Sequence, residues 1–181
     1  MMLDVELDIR AGQVDVDISI KLDDVALDGG VYMFLLDEVP LYIGEANIFL
    51  SRLTYHLYEL KKDKSYFGLE DLDGKHKITY IILKPELPYD KIKKDDDSKR
   101  ATDKNLSERV RIQNKFIEEY KPMTQNPKYN KQELTKLRAH RKDAMIKDGK
   151  TKNKLIKGIL NNKNAYSEII GKIKNKEYQE K

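Results

Sequence analysis

Cysteine is absent from this chain of 181 residues, and so is any long hydrophobic run. Without cysteine, neither a disulfide framework nor a thiolate zinc site can form, which favours an intracellular protein. No apolar stretch approaches the roughly 18 residues that a membrane span requires, and the acidic N-terminus does not have the pattern of a signal peptide. These absences predict a soluble, cytoplasmic protein whose length suits one domain with a small appendage.

Charge is distributed unevenly along the chain, although the formal net charge is only +4. Residues 1–30 hold eight acidic and two basic residues, whereas residues 131–181 hold fifteen basic and six acidic residues. This asymmetry indicates a polyanionic partner that contacts the C-terminal end. The alternative is a lysine-rich surface that only contacts water.

A β-hairpin is predicted at the N-terminus. Apolar and polar residues alternate on both sides of Ala-Gly-Gln within residues 3–20. A period of two is typical of half-buried strands, and the outward face would consist mostly of carboxylates. Because such a face repels phosphate, we expect this hairpin to pack behind or beside the working surface.

A second hairpin is predicted from the segments GVYMFLL and LYIG, joined by a turn at DEVP. If the loop holds three residues, 37–39, then Phe34 faces Tyr42. Side chains alternate along a strand, so Tyr32 and Tyr42 would then share one face of the sheet. A loop of two residues would separate them.

Helical periodicity begins after this hairpin. Arg52 and His56 are four residues apart in a helix predicted over about 46–62, so they stack one turn apart on one face. The buried stripe of this helix lies next to them and consists of Phe49, Leu53, Leu57 and Leu60.

A third strand is predicted over about 77–83, and a charge-dense loop over 84–104. A second helix is predicted over about 106–119, ended by Pro122. On this helix Gln113 is the one polar side chain aimed at the core-facing side, which is otherwise formed by Val110, Phe116, Ile117 and Tyr120.

Together these elements resemble the GIY-YIG nuclease superfamily. The segments GVY, ending at Tyr32, and YIG, beginning at Tyr42, resemble the pair of motifs that names the superfamily. Arg52 stands eight residues after Gly44, where the arginine of the family is expected. The segment QNKFIEEYKP resembles the family pattern E-x-x-L-I-x-x-Y/H-x-P, with Gln113 at the glutamate position. The resemblance implies an α+β fold with a small, mainly antiparallel sheet flanked by helices.

The activity that this resemblance implies is metal-dependent hydrolysis of phosphodiester bonds in DNA. Tyr32 is then the general base, Tyr42 positions the water, Arg52 bridges phosphate oxygens, and residue 113 holds a single Mg²⁺ or Mn²⁺. An ordinary phenol has a pKa near 10, so action as a base at pH 7 requires about 4 kcal/mol from neighbouring groups. Metal-bound hydroxide or His56 are the two sources of that basicity.

Two departures from the family pattern concern the metal side of the site. Gln125 stands where an asparagine is usual, and a rival alignment that uses Glu118 and Asn130 would place Pro122 inside the helix. Gln113 brings no negative charge, so metal affinity should fall sharply. Three explanations are open: an engineered Glu-to-Gln form, a naturally silenced nuclease that binds DNA, or another acid in this role. We favour the first, because the other catalytic positions are intact.

The basic C-terminal region contains three short helical patterns, which predict a DNA-binding appendage. The alternative is a helical wrap that covers the sheet. We therefore expect an N-terminal β-hairpin extension over 1–28, a nuclease domain over 29–130 and a basic helical DNA-binding region over 131–181. The expected phosphate contacts are Arg138, Arg141, Lys142, Lys152 and Lys154.

The expected protein is a restriction-type or phage-type endonuclease of double-stranded DNA, by analogy with short members of the superfamily. A palindromic target would make a homodimer natural. A non-catalytic DNA-binding protein and an RNA-directed enzyme are the competing classes.

Overall fold

The computed structural model describes residues 2–10, 13–17, 27–62, 67–69, 72–85, 98–125 and 156–179. Its elements, in chain order, are β1 (Met2–Arg10), β2 (Gln13–Asp17), β3 (Gly30–Leu36), β4 (Val39–Ala46), α1 (Phe49–Lys62), β5 (Gly74–Pro85), α2 (Ser98–Tyr120) and α3 (Ser167–Gln179). A helical stretch over 156–161 and a 3₁₀ helix, Lys163–Tyr166, precede α3. The predicted α+β class is confirmed. In the described ranges, no helix is long and apolar enough to cross a membrane.

The five strands form one sheet in the order β2-β1-β5-β3-β4, and every neighbouring pair is antiparallel. The predicted N-terminal hairpin is present, because β1 pairs with β2 from Glu6 to Arg10. β1 also pairs with β5 over eight residues, from Met2 opposite Ile81 to Ile9 opposite Gly74. The hairpin therefore continues the sheet that carries the candidate site.

The β3–β4 hairpin turns through two residues, Asp37 and Glu38, so the loop is the two-residue alternative. Both residues have positive φ values, 48° and 74°. Two-residue hairpins favour this mirror-image turn because its twist matches the twist of the strands, and glycine or asparagine usually occupies it. The sequence offers neither residue here, which is why the pattern did not reveal the turn.

A β-bulge in β4 compensates for the shorter loop. Leu35 pairs with Pro40 and Phe34 pairs with Tyr42, so Leu41 is an extra residue on the β4 side. Leu41 and Tyr42 consequently contact the same hydrophobic cluster although they are consecutive. The bulge restores the expected pairing, and it places Tyr42 on the same face as Tyr32.

Helices cover both faces of β3, which is buried along its whole length. One face packs on α1, and its cluster includes Tyr32, Phe34 and Tyr80 together with Phe49, Leu53, Leu57 and Leu60. The other face packs on α2, and its cluster includes Val31, Met33, Leu35 and Ile43 together with Ile112, Phe116, Ile117 and Tyr120. Burying a leucine or phenylalanine side chain contributes about 1.5–3 kcal/mol, so each helix is held mainly by its apolar stripe.

The stripe predicted for α1 is confirmed, whereas α2 differs from its prediction in two ways. It begins at Ser98, within the predicted loop, because no glycine or proline interrupts the segment after that residue. Val110 is 39% exposed, and Ile112 packs against the core instead. The predicted end is confirmed, since the helix stops at Tyr120 and Lys121 has a left-handed φ of 46°.

The segment after α2 covers the free edge of β4. Met123 and Thr124 donate backbone hydrogen bonds to the carbonyl groups of Pro40 and Leu41 at 2.9 and 3.1 Å. The side-chain amide of Gln125 then accepts from the Ile43 N–H at 2.8 Å and donates to the Ile43 carbonyl at 2.9 Å. These bonds satisfy backbone groups that an edge strand would otherwise expose.

The described part of the C-terminal region packs on the same core. Ile156, Ile159 and Tyr166 are buried in the cluster that includes α1, and Ile173 is buried in the cluster that includes α2. Lys163 Nζ donates to the Asp37 carbonyl at 2.7 Å, so at least one basic side chain here holds the fold together. The division into three regions stays a prediction, although residues from both flanking regions join the central sheet and core.

Candidate active site

Tyr32 lies above Gly44, its partner on the neighbouring strand. A Cβ atom at position 44 would fall inside van der Waals distance of the Tyr32 Oη and Cζ atoms. Glycine therefore leaves the space in which the phenol ring lies. With the ring there, the Tyr32 hydroxyl is 2.6 Å from His56 Nε2 on α1.

His56 is buried, which decides its protonation state. Burial, and secondarily the positive charge of Arg52, lowers the pKa of His56 from 6.5 to about 3. The ring is therefore neutral at pH 7. In the tautomer that carries its proton on Nδ1, the Tyr32 hydroxyl donates to Nε2.

The titration of His56 predicts an acid-sensitive fold. Because the pKa of His56 is about 3 in the folded chain and near 6.5 when unfolded, the unfolded chain binds more protons between these values. Stability is thus full above pH 6.5 and is lost as the pH falls. We expect a loss of about 2–3 kcal/mol between pH 6.5 and 4.5 in urea unfolding.

His56→Gln provides the control for this pH dependence. The variant lacks the titrating ring but keeps a polar side chain, so its unfolding free energy should fall less steeply over the same pH range. Parallel curves for the two proteins would contradict the assignment, because the pH dependence would then come from other groups.

Tyr42 completes an aromatic cluster around the Tyr32–His56 pair. Its ring centroid is 6.3 Å from that of Tyr32 and 5.6 Å from that of His56, and Phe34 and Phe67 also contact the histidine ring. Tyr42 is half-buried, whereas Tyr32 is 1% exposed. Tyr42 is therefore the more accessible of the two phenols.

Arg52 supplies the positive charge of the site. It lies one helical turn before His56 and close enough to lower the pKa of that residue. The side chain is half-buried, and no carboxylate among the described residues forms an ion pair with it. A half-buried guanidinium without a carboxylate partner is suited to bind an anion, above all a phosphate, in bidentate fashion.

Gln113 lies on α2, and its Nε2 atom donates to the Ile43 carbonyl at 3.0 Å. One turn earlier, buried Arg109 pairs with Glu45 at 3.0 Å and also donates to Asn47. The nearby carboxylate is therefore already neutralised by an arginine.

These residues do not fit a tightly held divalent metal. Such ions prefer several oxygen ligands with negative charge, and the amide of Gln113 brings none. Within the described ranges, no group of three or more histidine, cysteine, aspartate or glutamate side chains could hold a metal ion. No chemical step is therefore assigned to a metal in the chain as it stands.

The structure brings four of the predicted site residues together, namely Tyr32, Tyr42, Arg52 and His56. Gln113 lies on the helix that covers the other face, at the backbone of β4. The predicted phosphate contacts all fall outside the described residues: Arg138, Arg141, Lys142, Lys152 and Lys154.

Two residues of interest were missed from the sequence, Tyr80 and Arg109. Strand alternation in KITYIIL places Tyr80 on one face with Ile78 and Ile82, but only the observed pairing of Phe34 opposite Tyr80 puts that face on the Tyr32 side. Arg109 gave no such signal, since an arginine in a charge-rich helix is normally exposed.

Comparisons with protein-family models, curated proteins and solved structures found no match.

Proposed function

We propose that this protein is a DNA endonuclease of the GIY-YIG type in which Gln113 leaves the chain able to bind a DNA phosphate but with little or no cleavage. The observation that carries the proposal is the 2.6 Å contact between the Tyr32 hydroxyl and His56 Nε2 beside Arg52. A phenol, an imidazole and a guanidinium that pairs with no described carboxylate are the groups needed to accept a proton from water and to hold a phosphodiester.

In this proposal Arg52 binds two phosphate oxygens and orients the phosphorus. Water gives a proton to Tyr32 Oη as Tyr32 passes its own proton to His56 Nε2. The water oxygen then bonds to phosphorus, the bond to the leaving oxygen breaks, that oxygen takes up a proton from solvent, and His56 afterwards returns its extra proton to solvent.

The pKa of His56, about 3 in the free protein, makes the ring a weak base before DNA binds. A bound phosphate offsets the charge of Arg52 and favours the protonated ring. Recovering the ordinary pKa requires about 4–5 kcal/mol of such stabilisation. Binding of the anion therefore acts on the smaller of the two causes of the low pKa, because burial is the larger one.

The surface of α1 supports a nucleic acid as the partner. Tyr55 and Tyr58 are 49% and 63% exposed on the helix that carries Arg52, and Lys61 and Lys62 lie in its last turn. Exposed aromatic rings and lysines beside a phosphate site are suited to contact bases and backbone.

A second candidate function is a naturally non-catalytic DNA-binding protein. It is favoured by the hydrogen bond from Gln113 Nε2 to the Ile43 carbonyl, because an amide can donate there and an ionised glutamate cannot. A glutamate at this position would bring its carboxylate towards that carbonyl oxygen. The Ile43 carbonyl therefore suits a glutamine better than a glutamate at position 113.

The test of phosphate binding is Arg52→Gln. Hydrogen bonds to charged groups contribute about 1.5–3 kcal/mol, so we expect the affinity for a labelled DNA duplex to fall about tenfold or more. The measurement is fluorescence anisotropy at several salt concentrations, with an RNA competitor to separate the two nucleic acids.

Arg111→Gln is the matched control, since Arg111 is an exposed arginine of α2 paired with Glu108. It should retain nearly the affinity of the parent chain. Equal affinity of the parent chain and Arg52→Gln would contradict the proposed phosphate site.

A further inference from the structure

Tyr80 has a buried hydroxyl group that the proposed mechanism does not use. The residue lies on β5 opposite Phe34 and is 0% exposed. Its ring centroid is 5.1 Å from the rings of both Tyr32 and Phe34. Among the described residues, its hydroxyl has no hydrogen-bond partner.

A hydroxyl in this position is costly for the free protein. A buried polar group without a partner destabilises a fold by about 1–3 kcal/mol. The neighbouring position shows that phenylalanine packs well in this cluster, because Phe34 is equally buried. Packing alone would therefore favour phenylalanine at position 80, so the hydroxyl points to a bound state in which it is satisfied.

The surroundings of the Tyr80 hydroxyl indicate which kind of hydrogen-bond partner it would take. Burial raises the pKa of Tyr80 well above its ordinary range, and the nearby charge of Arg52 lowers it only in part. The phenol thus stays protonated at neutral pH and can donate. Arg52 also only donates, and two donors in one place are complementary to an anionic oxygen.

We propose that the Tyr80 hydroxyl donates a hydrogen bond to an oxygen of the DNA phosphate that Arg52 holds. This inference rests on the proposed function and adds a binding residue to it. Arg52 forms no ion pair with a described carboxylate, and in this proposal its side chain moves with the bound phosphate so that a phosphate oxygen reaches the buried hydroxyl.

Tyr80→Phe tests this role because it removes only the oxygen. We expect the melting temperature to be unchanged or higher, since an unsatisfied group is lost, while the affinity for a labelled DNA duplex falls about five- to tenfold. An unchanged or higher melting temperature together with a lower DNA affinity would indicate a binding role. Loss of a structural hydrogen bond would instead lower the melting temperature.

Tyr166→Phe is the matched control. Its hydroxyl donates to the Lys121 carbonyl at 2.8 Å, so this variant should lose stability and keep its DNA affinity. Tyr80→Phe with the parent's affinity, or with a lowered melting temperature, would overturn the inference. If Arg52→Gln also bound like the parent chain, the proposed phosphate site itself would fail, so the two failures are distinguishable.

Discussion

Gln113→Glu should turn the chain into a nuclease that cuts DNA in Mg²⁺ or Mn²⁺. The change replaces a neutral amide by a carboxylate at the position where the motif resemblance implies a metal ligand. A catalytic metal ion contributes several kcal/mol to phosphodiester hydrolysis, so cleavage should rise at least about a hundredfold. Plasmid and phage DNA, resolved on gels with and without chelator, provide the measurement.

The change also has a cost in stability. Gln113 Nε2 donates to the Ile43 carbonyl, and a carboxylate cannot replace that donor. The same carbonyl keeps its bond from Gln125, so we expect a loss of only about 1 kcal/mol. The acid variant should therefore fold at room temperature.

Gln125→Glu is the matched control for this experiment. It makes the same chemical change at the same backbone carbonyl, but on the segment that covers the edge of β4. It should be inactive and less stable than the parent chain. If Gln113→Glu folds and binds DNA yet cuts neither DNA nor RNA, the endonuclease proposal is wrong and the non-catalytic alternative takes its place.

Gly44→Ala should displace Tyr32 and destabilise the fold. The added methyl group would overlap the Tyr32 phenol and would lie 2.8 Å from Tyr42 Cε1. Because the Tyr32 ring is fully buried, the whole ring must move, and overpacking of this kind costs about 1–3 kcal/mol or more. The bond to His56 is then broken, so DNA cleavage by the Gln113→Glu form should be abolished as well.

Gly158→Ala is the control for Gly44→Ala. A Cβ atom at position 158 would meet nothing within 4 Å, and the residue lies in a helical stretch. Alanine should stabilise that stretch by about 0.4–1 kcal/mol. Thermal unfolding of the two variants gives the comparison, and equal stability of Gly44→Ala and the parent chain would refute the packing of Tyr32 over Gly44.

Much of the fold could be predicted because it follows from local periodicity. The β1–β2 hairpin and the buried stripe of α1 depend on spacings of two and of three to four residues, which the sequence displays directly. The pairing of β1 with β5 could not be predicted, since it joins strands about 70 residues apart whose register is set by packing.

In the candidate site, too, some features follow from local spacing and others depend on long-range packing. Arg52 and His56 share a helix, so their neighbourhood follows from spacing alone. A two-residue loop was expected to separate Tyr32 and Tyr42, but the bulge at Leu41 compensates for the short loop and keeps both tyrosines on one face. The burial of the Tyr80 hydroxyl results from the packing of three strands and a helix, and no local sequence pattern predicts how these elements pack.

The edge of β4 has a consequence for self-association. Three successive residues after α2 occupy backbone groups along this strand, so an incoming chain finds no open row of donors and acceptors there. Sheets grow into aggregates by adding strands to such open rows. Among the described strands, growth of this kind is therefore left to the opposite edge of the sheet, where β2 lies, and the strand that carries Tyr42 is protected from it.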